Sequence, residues 1–370
     1  MVRFNAALWL ALAFGATAAQ ADSRQDCIQD RDQDLSIRGC SEFIAVTPRA
    51  AWAYFNRGNA HRAKGDNDRA IADFSNAIEL DPRDPDALFN RGNAYRAKGE
   101  TDRALADFDQ AISLNASVAL FYNNRGVTYD EKGQHDRAIN DYNTAVSLDP
   151  KYINAYFNRG RAYDDKGDRD RAIADYSKAI ELNPKEPEYY YNRGIAYRGK
   201  GEAEQAIADY TMAIVLDPSG ANYYNNRGNL YRGRGEHDRA IADFTKAIEL
   251  NPNVALFYNN RGAGYRDRRD NERAIADFDR AIRIDPNYAN AYYNRGIAYD
   301  DKRQYDRAIA DYTMAIELNP RDADFYNNRG ATYQSKGDKD SAIADFRRAL
   351  VVNPASQLAR GNLSRLGVSP

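Results

Sequence analysis

From Ala51 onward the alternation of apolar and polar positions repeats every 34 residues, and it holds its phase through nine periods without an insertion or a deletion. The periods begin at Ala51, Pro85, Ala119, Ile153, Pro187, Ala221, Ala255, Ala289 and Ala323, each counted as position one. In the first half, bulky or tight residues fall at positions four, eight and eleven: Tyr54, Gly58 and His61, then Tyr122, Gly126 and Tyr129, then Tyr156, Gly160 and Tyr163. Spacings of four and three mark one face of an α-helix. The second half places alanine at positions twenty and twenty-seven and an aromatic at twenty-four, as in Ala70, Phe74 and Ala77 or Ala308, Tyr312 and Ala315. These also share one helical face. Each period therefore predicts two amphipathic helices, with Gly58 set opposite Ala70 so that they approach closely.

Punctuation supports the same division. Glycine at position fifteen (Gly65, Gly99, Gly133, Gly167, Gly201, Gly235, Gly337) suits the left-handed residue that closes a helix. Arg269 and Arg303 replace it in periods seven and eight, where strained turns are expected. Proline at position thirty-two ends the second helix, from Pro82 to Pro354, except in period two, which has Ala116 there. A fixed period between about 20 and 50 residues signals a solenoid. Aromatic, Gly, Tyr, Ala, aromatic, Ala and Pro at these offsets resemble the tetratricopeptide repeat. The resemblance covers residues 51–356 and implies an all-α fold, an α-α superhelical solenoid whose first helices line a concave face that holds proteins or peptides. One departure is consistent: position seven, often Leu in that family, is always Arg here.

Four segments follow. Residues 1–21 read as a signal peptide, with Arg3, an apolar run from Ala6 to Phe14, and a small-x-small site at Ala19-Gln20-Ala21. Residues 22–50 read as a degenerate repeat that caps the first full one, since Pro48, Ile37 and Ile44 precede Pro82, Ile71 and Ile78 by 34. Cys27 and Cys40 lie in this cap and are expected to form a disulfide, as befits an exported chain. Residues 51–356 are the nine repeats. Residues 357–370 are a capping helix and tail, with Leu358, Leu363 and Leu366 covering the last repeat while Arg360 and Arg365 reach water. The expected location is periplasmic or extracellular. No segment after the leader is apolar enough to span a bilayer.

Charge narrows the function. A formal net charge of -2 gives no nucleic-acid footprint. The three histidines lie in different repeats without metal-spaced partners, so no metal, cofactor or catalytic constellation is expected. Asp30, Asp32 and Asp34 imitate the start of a calcium loop, but Leu35 and Ser41 stand where its glycine and glutamate are needed. The basic residues of the family's carboxylate clamp are also missing from positions two and six.

Two polar lines run through all nine periods. Position six is Asn56, Asn90, Asn124, Asn158, Asn192, Asn226, Asn260, Asn294 and Asn328. It points away from positions four, eight and eleven, so the carboxamides are expected along the concave face, offering donors and an acceptor to an extended main chain. This line is similar to the asparagine ladder in the repeat superhelix of O-GlcNAc transferase. Phe55, Phe89, Phe157, Tyr191 and Tyr293 at position five are expected to supply apolar pockets beside it, with charge in bands at position twelve (Arg62 and Arg96; Asp130 and Asp164; Arg198, Arg232 and Arg266; Asp300). The alternative is that each Asn bonds between helices. Position seven Arg and position twenty-three Asp, from Arg57 with Asp73 through Arg193 with Asp209 to Arg329 with Asp345, are read as structural ion pairs, within or between units. The expected function is a non-enzymatic scaffold gripping an extended segment of another protein. The alternative is an assembly protein acting through convex or edge surfaces.

Overall fold

The computed structural model describes residues 22–29 and 31–369, so residues 1–21, expected to be a signal peptide, lie outside the described residues, as do Asp30 and Pro370. The regular structure among these residues is entirely helical. Residues 22–28 and Gln33–Val46 form a short leading pair. Each period then folds as two helices, from Ala51–Ala63 with Asn67–Leu80 to Ala323–Lys336 with Lys339–Val352, and Gln357–Arg365 follows. The chain divides into two compact units, one ending at Pro184 and one beginning at Lys185. In each unit a first helix packs against the second helix of its own period and against that of the period before.

The aromatic at position twenty-four is the centre of every pair. Phe74, Phe108, Tyr142, Tyr176, Tyr210, Phe244, Phe278, Tyr312 and Phe346 are all buried, with the flanking alanines beside them. The position-eight glycine makes room for that ring. A Cβ on Gly58 would lie 2.8 Å from the Phe74 ring, and the same contact recurs from Gly92 to Gly330. The glycine thus meets the aromatic ring first, with the position-twenty alanine close behind it: a Cβ on Gly262 would lie 3.1 Å from the Ala274 carbonyl oxygen.

The inter-helix glycines take left-handed φ, 79° at Gly65 for example. Arg269 and Arg303 adopt the same region at φ 64° and 58°, which costs an L-residue about 1–2 kcal/mol. Second helices end on an extended residue, Asp81 at φ -134° before Pro82. Asn115, with no proline after it, ends its helix in the same way at φ -146°. Packing sets that boundary and proline reinforces it.

At the leading end Cys27 and Cys40 are joined by a disulfide and are 1% and 0% exposed. Phe43, Ala50 and Ala53 pack around them, continuing the core into period one. In the last helix Ala359 and Leu363 are buried, and Leu366 packs against the same cluster. Leu358 is 64% exposed, so the covering role expected of it falls to Ala359.

Candidate functional site

The position-six carboxamides are half-buried, and Asn260 is buried. What each amide does follows from position five of the preceding period. Where that residue is Asn, the amide donates across the period boundary: Asn158 to Asn123 Oδ1 at 3.0 Å, Asn260 to Asn225 Oδ1 and Asn294 to Asn259 Oδ1 at 2.9 Å. Where it is Tyr, the hydroxyl accepts: Asn226 to Tyr191 at 3.0 Å and Asn328 to Tyr293 at 2.8 Å. A phenylalanine offers no acceptor. After Phe55, Asn90 turns to its own helix and donates to the Asp86 carbonyl at 2.9 Å; after Phe89, Asn124 donates to Asn93 Oδ1 at 3.4 Å and accepts from Asn123 Nδ2 at 3.3 Å. Asn192 likewise donates to the Glu188 carbonyl. Asn362 extends the line beyond the ninth period, donating to Asn327 Oδ1 at 3.0 Å. Much of the ladder therefore bonds neighbouring periods together, which is the alternative the sequence left open.

The position-five aromatics pack in the same seam. Phe55, Phe89, Phe157, Tyr191 and Tyr293 lie 5.7–5.9 Å from the position-twenty-four ring of their own period. Phe89, Tyr191 and Tyr293 also meet Phe121, Tyr223 and Phe325 of the next period at 4.8–4.9 Å. Phe89 is buried and the other four are half-buried. Burial pushes the Tyr293 hydroxyl up to about 12.

All nine Arg–Asp pairs form within their own period as two-pronged contacts. Arg57 donates from Nε and Nη2 to Asp73 at 2.8 and 2.7 Å, and the arrangement repeats through Arg193 with Asp209 to Arg329 with Asp345. A third prong, Nη1, reaches the second helix of the preceding period: Arg57 to Ser41, Arg91 to Ser75, Arg125 to Asp109, Arg227 to Thr211 and Arg295 to Asp279. The guanidinium therefore clasps both its own hairpin and the one before. The hydrogen bond to Asp107 raises the Arg91 guanidinium further, whereas burial pushes the Asp141 and Asp175 carboxyls up against the pull of their arginines.

A third ladder was missed in the sequence. Position fourteen is Lys or Arg and position eighteen is Asp or Glu in every period. The base pairs with the acid of the period before: Lys98 with Asp68 at 2.7 Å, Arg234 with Glu204 at 2.5 Å, and Lys64–Asp34, Lys132–Asp102, Lys166–Asp136, Arg268–Asp238, Lys302–Glu272 and Lys336–Asp306 likewise. The recurring signs were visible along the chain, but their 30-residue offset becomes a contact only once the stacking order is known. Such exposed pairs are screened by water and salt and add little to stability.

Each unit carries clefts on this framework. In the first, a cleft of about 520 Å³ is lined by Arg62, Phe89, Asn90, Asn93, Arg96 and Asn124, with Leu120 at its side. A smaller one of about 230 Å³ lies among Asp130, Tyr142, Asn158 and Arg161, where the Tyr142 hydroxyl donates to Asp130 at 2.8 Å and burial pushes the Asp130 carboxyl up. In the second unit a cleft of about 780 Å³ lies among Glu188, Tyr191, Asp217, Tyr223, Leu250 and Phe257. Among the described residues no cluster of His, Cys, Asp and Glu could hold a metal ion, and no helix is long and apolar enough to cross a membrane.

Stacked two-helix periods clasped in this way define an all-α repeat solenoid. The TPR repeat profile matches residues 58–98, 92–133, 129–167, 160–201, 194–233 and 263–302, and the tetratricopeptide repeat profile matches 221–254, 289–322 and 323–356. The chain belongs to the tetratricopeptide repeat family and is a protein–protein interaction scaffold of that kind. Among solved structures, it is similar to a tetratricopeptide repeat protein from Parabacteroides merdae, with 25% identity and a TM-score of 0.50 over 67% of this chain and 98% of that one. The C-terminal part of a TPR repeat-containing protein from Cytophaga hutchinsonii matches at 20% identity and a TM-score of 0.52, over 65% of this chain and 98% of that one. The APC/C hetero-tetramer Cut9–Hcn1 matches at 17% and 0.54, over 96% and 88%; at such identities the likeness concerns the fold alone. No curated protein matches the chain.

Proposed function

We propose that the chain holds an extended segment of another protein against the faces of its first helices, along the line Asn56, Asn90, Asn124, Asn158, Asn192, Asn226, Asn260, Asn294 and Asn328. The supporting observation is the first-unit cleft, where the carboxamides of Asn90, Asn93 and Asn124 converge beside Phe89 and Leu120. Carboxamides match the N–H and C=O of an extended chain, and apolar walls beside them receive its alternate side chains. Asn90 and Asn124 suit a test because neither makes a strong bond to the preceding period. Replacing both with alanine and crosslinking in the native compartment should abolish partner capture with helicity unchanged. Undiminished capture would overturn the reading.

Export fits this role. Residues 1–21 would direct the chain to the periplasm or beyond, and the Cys27–Cys40 disulfide is compatible with an oxidising compartment. Residues 22–50 and 357–370 would then cap the ends of the array. A second reading, assembly through the second helices, is favoured by exposed Met212, Val215, Met314 and Val351. Undiminished partners in the Asn90 and Asn124 variant, together with loss on Met212→Ser with Val215→Ser, would select it.

A further inference from the structure

Position twelve carries arginine in five periods, and the five are not treated alike. In the second unit Arg198 donates to Asn226 Oδ1 at 3.3 Å, Arg232 pairs with Asp267 at 2.9 Å, and Arg266 contacts Asn294 Oδ1 at 3.5 Å. In the first unit the Arg62 and Arg96 side chains have no hydrogen-bond or ion-pair partner among the described residues, and Arg96 Nη1 is buried without one. The sequence shows part of the reason. The place that Asp267 fills for Arg232 is filled by Ala97 for Arg62, and Glu131 at that place makes no ion pair with Arg96. Both arginines line the same cleft, with Asn90, Asn93 and Asn124 between and beside them. Arg62 is exposed at the cleft, whereas Arg96 is half-buried in it.

The buried Arg96 Nη1 is left without the partner its desolvation calls for, and incoming carboxylates would satisfy it and pair with exposed Arg62 through charge-assisted hydrogen bonds. We infer that this cleft selects an extended peptide segment bearing two acidic side chains, one for Arg62 and one for Arg96. The inference rests on the proposed groove and adds the chemistry of the ligand. Neighbouring packed helices lie about 8–10 Å apart and an extended chain rises about 3.3 Å per residue, so the two acids would sit roughly two to four residues apart. The recognised groups are side-chain carboxylates within the segment, not a free chain terminus.

The test is selection from a phage-displayed library of random dodecapeptides on the full chain with its disulfide intact, followed by titration of the selected peptides synthesised with amidated C-termini. The expected result is enrichment of paired Asp or Glu, with affinity falling roughly tenfold or more in Arg62→Gln with Arg96→Gln, and unchanged in Arg232→Gln with Arg266→Gln. Affinity should also fall steeply with added salt. Selected peptides without acidic pairs, acidic peptides indifferent to the Arg62 and Arg96 changes, or peptides that bind only with a free C-terminus would each overturn the inference. If it falls while Asn90→Ala with Asn124→Ala still weakens the selected peptides, the groove stands without the acidic preference. If no selected peptide responds to either pair of changes, the groove falls with it.

Discussion

The Arg62 and Arg96 side chains in the first unit line a cleft and make no hydrogen bond or ion pair among the described residues, whereas Arg232 in the second unit meets Asp267 and its neighbours Arg198 and Arg266 reach asparagine oxygens. The helix pair around these residues is the same in both units, down to the ring under the position-eight glycine and the three-pronged arginine. The difference lies in a few exposed positions on the first helices. A repeat array can therefore keep its framework constant and vary its recognition chemistry period by period, because nearest-neighbour contacts fix the stacking while the remaining positions stay open to change.

The clasp should break both units alike, and this is the largest effect expected. Asp107→Leu in the first unit and Asp209→Leu in the second each strand an always-charged guanidinium, for a loss of about 3–5 kcal/mol. Arg91→Leu and Arg193→Leu should cost less, since a carboxyl left without its partner can be neutralised by a proton whereas a guanidinium cannot. Urea midpoints for the four variants check this, and equal losses for arginine and aspartate would deny the asymmetry. Next, Cys27→Ser with Cys40→Ser opens a short loop whose closure is worth roughly 3 kcal/mol, and hydrogen exchange should speed up at residues 22–50 but not in the second unit. Gly92→Ala and Gly262→Ala press a Cβ onto Phe108 and Phe278 at 2.8 and 2.7 Å, and each should cost about 1–3 kcal/mol by thermal melting. The smallest effect separates the units again. Arg269→Gly relieves a left-handed arginine that only the second unit contains and should raise its stability by about 1 kcal/mol, while Gly65→Arg should lower that of the first by a similar amount.

The helix pairs were legible because position-specific burial recurs nine times, so Phe74 and Ala70 announce their face as clearly as Phe346 and Ala342 do. The Arg–Asp pairs were legible for the same reason. The third prong from Arg57 to Ser41 was not, since position twenty-five varies among Ser, Asp, Asn and Thr in the first eight periods and becomes an acceptor only through its place beside the next hairpin. The asparagine line was seen, but its geometry was not. Whether Asn158 or Asn90 bonds across a boundary turns on Asn123 against Phe55 at position five, a residue whose orientation follows from packing between periods. Leu358 shows the same limit: an apolar residue on a terminal helix has no repeat partner to reveal which way it faces.

The central claim is that partners lie against the first helices of the solenoid. Photo-crosslinking addresses it directly, with benzoylphenylalanine placed at Leu120, which is 43% exposed beside the first-unit cleft, or at Val215, which is 68% exposed on a second helix. The account predicts a discrete crosslinked partner from Leu120 that disappears in the Asn90→Ala with Asn124→Ala background, and none from Val215. A partner captured from Val215 and not from Leu120 would contradict it.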